Sequence, residues 1–300
     1  MASGSLPPSV YGIALVPAIL WGLSPILSKR GMAAGGGSLQ ASLTVVTVDS
    51  VIYWLVLAGF TGSGTLFAEV DPMSLSVFIV AGIVGTALGR LAVFAGVDRV
   101  GASINSAGIS TRPLFATTIA FFWLGETVGP LTVVGVVVLV IGLIVLTLSK
   151  GGDITGWRSR DLFFPLTAAF AFGLGNVIRR FGLTRTDVTT LQAVTLNETA
   201  ALIALLRYTI AVNRTDVFRA PTRTYLYFAG SGLLTAVALL SLFEAFNRAP
   251  VAIVDSLGAT APLFTTLFSY FLLRDLERVT RGVVVGAGLI VIGATLITVI

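Results

Sequence analysis

The chain has 300 residues, of which 55% are hydrophobic and 11% charged, and a formal net charge of +5. A soluble domain carries about 25% charged residues, so this is the composition of an integral membrane protein. With no cysteine and no histidine, the chain has no disulfide, thiol nucleophile or thiolate metal site, and no histidine base, proton relay or metal ligand.

A membrane-spanning helix needs about 20 predominantly apolar residues, and the sequence holds ten such runs. The first, Tyr11 to Ser28, lacks the charged leader of a cleavable signal and reads as a retained helix. The second is Ala41 to Phe60. Glu69 and Asp71 mark a polar loop before the third, from Pro72 to about Val97. The fourth runs from Gly101 to Leu124 and the fifth from Pro130 to Ser149. Lys150 to Arg160, with Gly151-Gly152, is the clearest boundary and divides the chain into residues 1–150 and 151–300. Beyond it come Asp161 to about Arg179, Thr189 to Leu206, Thr224 to Phe246, Pro250 to Leu273 and Gly282 to Ile300.

The two halves repeat one another. Phe94, Arg99, Pro113 and Phe115 recur 149 positions later as Phe243, Arg248, Pro262 and Phe264. Glu126, Gly135 and Gly142 recur 151 positions later as Glu277, Gly286 and Gly293. Near the start of each half, Trp21-Gly22-Leu23 becomes Phe172-Gly173-Leu174, and Ser38-Leu39-Gln40-Ala41 becomes Thr190-Leu191-Gln192-Ala193. Each half is thus a five-helix unit. Because five is odd, the second unit starts on the opposite side of the membrane. The expected fold is an all-α integral membrane protein of ten transmembrane helices in two inverted five-helix repeats, an architecture common among secondary transporters.

These residues carry a family resemblance. Trp21-Gly22 in the first helix, the fourth-helix pattern around Pro113, and the Leu124-Gly125-Glu126 turn followed by Gly135 and Gly142 resemble the drug/metabolite transporter superfamily, in particular its ten-helix EamA-like permeases. The likeness spans both halves. The second copy departs from it with Arg274-Asp275-Leu276-Glu277 where Leu-Gly-Glu is expected. The resemblance implies export or import of small metabolites or drugs through a central cavity.

Charges inside apolar runs are the candidate functional residues, because each costs roughly 2.5–3.5 kcal/mol at a helix centre unless it faces a partner or water. They are Asp49, Arg90, Arg112, Glu198, Glu244 and Asp255. Aligned on Gln40 and Gln192, Glu198 falls about one turn from the counterpart of Asp49, so equivalent helices offer carboxyls from comparable faces. Arginine presents a fixed fork of donors suited to a carboxylate or phosphate. Arg90 and Arg112 either bind an anionic group of the substrate or neutralise the buried acids. Two arginines against four acids leave a surplus, and a surplus buried acid is a natural proton carrier. Asp49 and Glu198, deepest by count, are the candidates for proton coupling, whereas Glu244 can reach Arg248 one turn on. Asn105 and Asp255 put polar groups at one level of the two proline-containing helices, and Trp21 is the aromatic expected at the cavity. The expected substrate site is therefore Trp21, Arg90, Asn105, Arg112 and Asp255.

Basic residues assign orientation ambiguously. Loops on one side hold 13 lysines and arginines, and those on the other hold four, namely Arg179, Arg180, Arg185 and Arg248. The positive-inside rule then puts both termini outside, whereas the family resemblance implies cytoplasmic termini. The functional expectation is a multi-pass protein of the cell membrane that moves a small organic solute, amino-acid-like or drug-like, by alternating access. The alternative is a membrane receptor or structural protein that binds a ligand without moving it. Nothing calls for a cofactor, a metal or nucleic acid; the partners expected are the solute and the lipid bilayer. An intramembrane enzyme lacks its nucleophile or metal constellation here, and no Gly-x-x-x-x-Gly-Lys-Ser/Thr motif supplies ATP drive.

Overall fold

The computed structural model describes residues 6–61, 70–149, 156–272 and 281–298, and all regular structure among them is helical. Gly151-Gly152, Arg274-Asp275 and Glu277 lie outside the described residues. In the first half the helices are α1 (Pro8–Ala33), α2 (Ser38–Thr61), α3 (Pro72–Ala81), α4 (Gly89–Ile109), α5 (Arg112–Ile119) and α6 (Pro130–Leu148). In the second they are α7 (Phe163–Arg185), α8 (Thr190–Ala211), α9 (Thr222–Arg248), α10 (Val251–Gly258), α11 (Ala261–Leu272) and α12 (Arg281–Thr298). Local chemistry explains several starts. Pro8, Pro72 and Pro130 occupy first-turn positions where a missing N–H costs nothing. Asp71 caps α3 by accepting from the Ser74 N–H at 2.7 Å, and Thr189 and Gln192 form a reciprocal capping box on α8.

Six helices, each including at most a short π or 3-10 continuation, are long and apolar enough to cross a bilayer unaided. Several spans are built from pieces. A π-helical stretch, Gly82–Leu88, joins α3 to α4. Asn105 fills the space a side chain at Gly96 would need. Nine residues of straight helix would separate them by about 13.5 Å, so the chain doubles back within α4 where a turn near Gly101 was expected. Taking α3 with the first part of α4, the rest of α4 with α5, and α10 with α11 gives ten membrane helices.

The two shared prolines break their helices, where kinks were expected. α4 ends at Ile109 and α5 restarts at Arg112; α10 ends at Gly258 and α11 restarts at Ala261. The same device seals both breaks. Thr111 Oγ1 donates to the Gly108 carbonyl and Thr260 Oγ1 to the Leu257 carbonyl, each at 2.7 Å. Each hydroxyl takes up a carbonyl at the interrupted ladder. By contrast, α1 runs on through Pro17 and Pro25.

Inversion of the repeats is visible at α6 and α12, the equivalent fifth helices. Gly135 lies against Gly293 and Ile297, Gly142 against Ile290, and Leu146 against Gly286. Early α6 meets late α12 and late α6 meets early α12, so equivalent helices run antiparallel. Small residues let backbones approach this closely, which is the packing that membranes reward. The remaining helices interlock across the repeats. α1 packs against α9, α10 and α11, and α7 packs in the same relation against α3, α4 and α5.

One end of the bundle is apolar and closed. Val10 and Ala14 of α1, Phe78 of α3, Leu183 of α7, Phe246 of α9 and Val251 of α10 belong to the largest buried cluster. Glu126 clamps the same end. It accepts from Arg180 Nε at 3.2 Å and from the Val251 N–H at 2.9 Å, while Arg180 also donates to the Phe246 carbonyl.

Candidate substrate cavity

Beyond that closed end lies a central cavity of about 290 Å3. Its wall comes from both repeats in matched positions: Trp21 with Phe172, Thr86 with Thr235, Arg90 with Leu239, and Val93 with Leu242. None of its lining residues belongs to α6 or α12. The π-helical stretch brings Gly85 and Thr86 to the wall, and Gly85 there meets Gly175 of α7. Wide π turns recur at functional sites. Here one sits where two glycines allow α7 to close on the cavity.

The polar side of the cavity is a single hydrogen-bonded network. Arg179 is its hub, with 4% of its surface exposed. It donates to Asn176 Oδ1 at 2.7 Å, to Thr86 Oγ1 at 2.7 Å and to Asn197 Oδ1 at 3.1 Å. Its guanidinium also lies 5.4 Å from the centre of the Phe243 ring. Asn176 passes the connection on, donating through Nδ2 to Asp255 Oδ1. Asp255 accepts from Arg112 Nε, 3.0 Å from its nearer oxygen, and its carbonyl accepts from Arg112 Nη2 at 3.3 Å. On the other flank Glu198 Oε1 accepts from Asn197 Nδ2 at 2.7 Å and from Thr86 Oγ1 at 3.1 Å.

Of the seven expected site residues, Trp21, Arg90, Arg112 and Glu198 line the cavity, and Asp49, Asn105 and Asp255 do not. Asp255 is fully buried behind Arg112 as its ion partner. Asn105 packs against Gly96, away from the network. Asp49 is fully buried, and neither carboxyl oxygen has a hydrogen-bond partner; Glu198 Oε2 is likewise unsatisfied. Glu198 and Arg90 are the charges that act on Asp49. Arg90 makes one long bond, to Ser42 Oγ at 3.4 Å, and so keeps most of its donors for a ligand.

Arg179 was counted among loop residues, and it belongs at the centre. Glu244 leaves the set, because it accepts from Arg248 Nε at 2.7 Å and from Thr190 Oγ1. The buried balance is therefore three arginines, 90, 112 and 179, against three acids, 49, 198 and 255. The expected acid surplus disappears. What singles out Asp49 and Glu198 is their unsatisfied oxygens. A carboxylate out of water without a partner is costly and is neutralised by a proton or a cation.

The sequence pattern of the EamA-like transporter family matches residues 9–148 and again residues 160–299. The chain belongs to the EamA-like transporter family. This EamA-like transporter is similar to an uncharacterised transporter of Clostridium kluyveri, 28% identical over 132 residues. That match spans 44% of this chain and 42% of the relative, so it covers less than half of either. A Listeria innocua protein named for a proposed role in sugar uptake is 24% identical, over 82% of this chain and 86% of that protein. A chloroplastic WAT1-related protein of Arabidopsis thaliana is 23% identical, over 88% of this chain and 64% of that one. A known crystal structure superposes with a TM-score of 0.76 over 97% of this chain and 98% of that chain, at 18% identity, a likeness of fold. The EamA-like chain is a multi-pass membrane protein of a transporter family.

Proposed function

We propose that the protein is a secondary transporter that moves a small organic solute across the cell membrane by alternating access around the central cavity. The observation that carries this reading is the matched lining from two inverted repeats on one side of a closed apolar end. Rocking one set of matched helices against the other exchanges which end is closed. In this reading Arg90 and the free side of Arg112 hold an anionic or strongly polar end of the solute, and Trp21 and Phe172 flank its body. Arg179, Asn176 and Asp255 keep the arginine side in place. Asp49 and Glu198 carry the coupling proton.

The test is counterflow in proteoliposomes with a panel of labelled carboxylates, zwitterions and sugars; the relative named for sugar uptake puts sugars on that panel. At least one solute exchanges, and Arg90→Met raises its half-saturating concentration about tenfold or more when it is anionic. Saturable binding without flux of any solute would make the protein a receptor. Asp49→Asn and Glu198→Gln preserve counterflow and remove the response of net flux to an imposed pH gradient. Both variants following the gradient like the parent protein would end the coupling role.

A further inference from the structure

The central cavity sets hydrocarbon directly beside its cationic groups. Phe172 of α7 lies flush on Gly89, the residue before Arg90: a side-chain carbon at Gly89 would sit 2.5 Å from the Phe172 ring. Arg112 and Leu242 meet over Gly258, where a side-chain carbon would lie 3.7 Å from Leu242 Cδ1 and 3.9 Å from Arg112 Nη2. Leu239, one turn before Leu242 on α9, continues that apolar wall. Arg112 is also held in place, since its Nε donates to the Asp255 carboxylate and its Nη2 to the Asp255 carbonyl. An anionic group seated on either guanidinium therefore carries the rest of its molecule onto hydrocarbon. Such a wall favours an apolar body, because its surface leaves water. It disfavours a second charge or a set of hydroxyls, which would be dehydrated there without partners. The volume of about 290 Å3 is that of roughly ten water molecules, room for one ring or one branched chain.

We infer, building on the reading of this cavity as the solute site, that its substrate class is the small amphiphilic carboxylate: one carboxylate on an apolar, branched or aromatic body. Sugars and dicarboxylates fall outside it. Arg90 and Arg112 hold the carboxylate by the charged, forked donors that suit it. Phe172, Leu239 and Leu242 select the body and are the specificity-determining residues.

Thermal melting of the full chain in neutral detergent tests it, at constant pH and ionic strength, with phenylpropionate, isovalerate, phenylpropanol, succinate or glucose added. A ligand that binds the folded state raises its melting temperature. Phenylpropionate or isovalerate raises it by several degrees, and phenylpropanol, succinate and glucose do not. Arg90→Met and Leu239→Gln each raise the carboxylate concentration needed for half of the increment about tenfold, whereas Leu239→Met keeps it. If Leu239→Gln does not fold, Leu242→Gln provides the same comparison. Counterflow in proteoliposomes then separates this inference from the transporter reading. Saturable binding of phenylpropionate or isovalerate without its counterflow upholds the class and ends the transporter reading. Counterflow of succinate or glucose, with no binding of either monocarboxylate, upholds transport and overturns the class. Absence of any rise with both monocarboxylates, an equal rise with phenylpropanol, or an increment that survives both Arg90→Met and Leu239→Gln also overturns it.

Discussion

Arg112 and Asp255 show what a single buried charge does in this protein. Asp255 is fully buried and Arg112 is 14% exposed, so neither is screened like a surface pair. Removing one partner of such a pair costs about 3–5 kcal/mol, because the other is left charged and unpaired. Arg112→Met is therefore expected to lower the melting temperature sharply, and Asp255→Asn in the same chain to recover much of the loss. A double-mutant cycle measures this. Strict additivity of the two changes would mean that the pair is not coupled. Arg90, Arg112 and Glu198 were legible because each interrupts an apolar run. Arg179 was not, because Arg179-Arg180, Gly182 and Arg185 together resemble the basic end of a helix. α7 instead continues to Arg185, which carries Arg179 inside. A usable signal was present in Asn176 and Arg179. They lie three apart on one helix face, and Asn176 stands where the first repeat has Pro25.

Among the elements, the glycines of α6 and α12 have the narrowest tolerance. A side chain at Gly142 would meet the Ile290 backbone nitrogen at 2.7 Å and the Gly286 carbonyl at 2.9 Å, whereas nothing lies within 4 Å of one at Gly288. Gly142→Leu should abolish a monodisperse peak in fluorescence-detected size exclusion, and Gly288→Leu should leave it unchanged. Equal behaviour of the two variants would show that this helix pair tolerates separation. The period of these glycines and the two prolines could be read from the repeat alone. The break at each proline could not, since a proline permits either a kink or a restart. In both copies a threonine hydroxyl, of Thr111 or Thr260, turns back onto the carbonyl three residues earlier at the break.

For the whole molecule, parity of the helix count was enough to predict inversion, and the antiparallel α6 and α12 bear it out. Sidedness is the property still to be measured. The chain has no cysteine, so a cysteine introduced at Val93, on the cavity wall, is a unique reporter. In sealed vesicles an impermeant maleimide should modify Val93→Cys from the end carrying Arg207 to Arg223 and not from the end carrying the Glu126 clamp. Equal labelling from both sides would contradict a single closed end. The positive-inside rule places the arginine-rich end in the cytoplasm, and Arg179, now inside the bundle, widens the asymmetry between the two faces.

The matched lining has a consequence for how such a cavity came to be polar on one side only. An antiparallel pair of identical five-helix chains would show every cavity residue twice. An arginine at the position of Arg90 would face a second one at the position of Leu239, two guanidinium groups sharing about 290 Å3. At low effective dielectric their repulsion amounts to several kcal/mol. Joining the copies in one chain lifts that constraint. One member of each twin position is free to stay apolar while the other takes a charge, and recognition of an asymmetric solute becomes possible inside a symmetric frame.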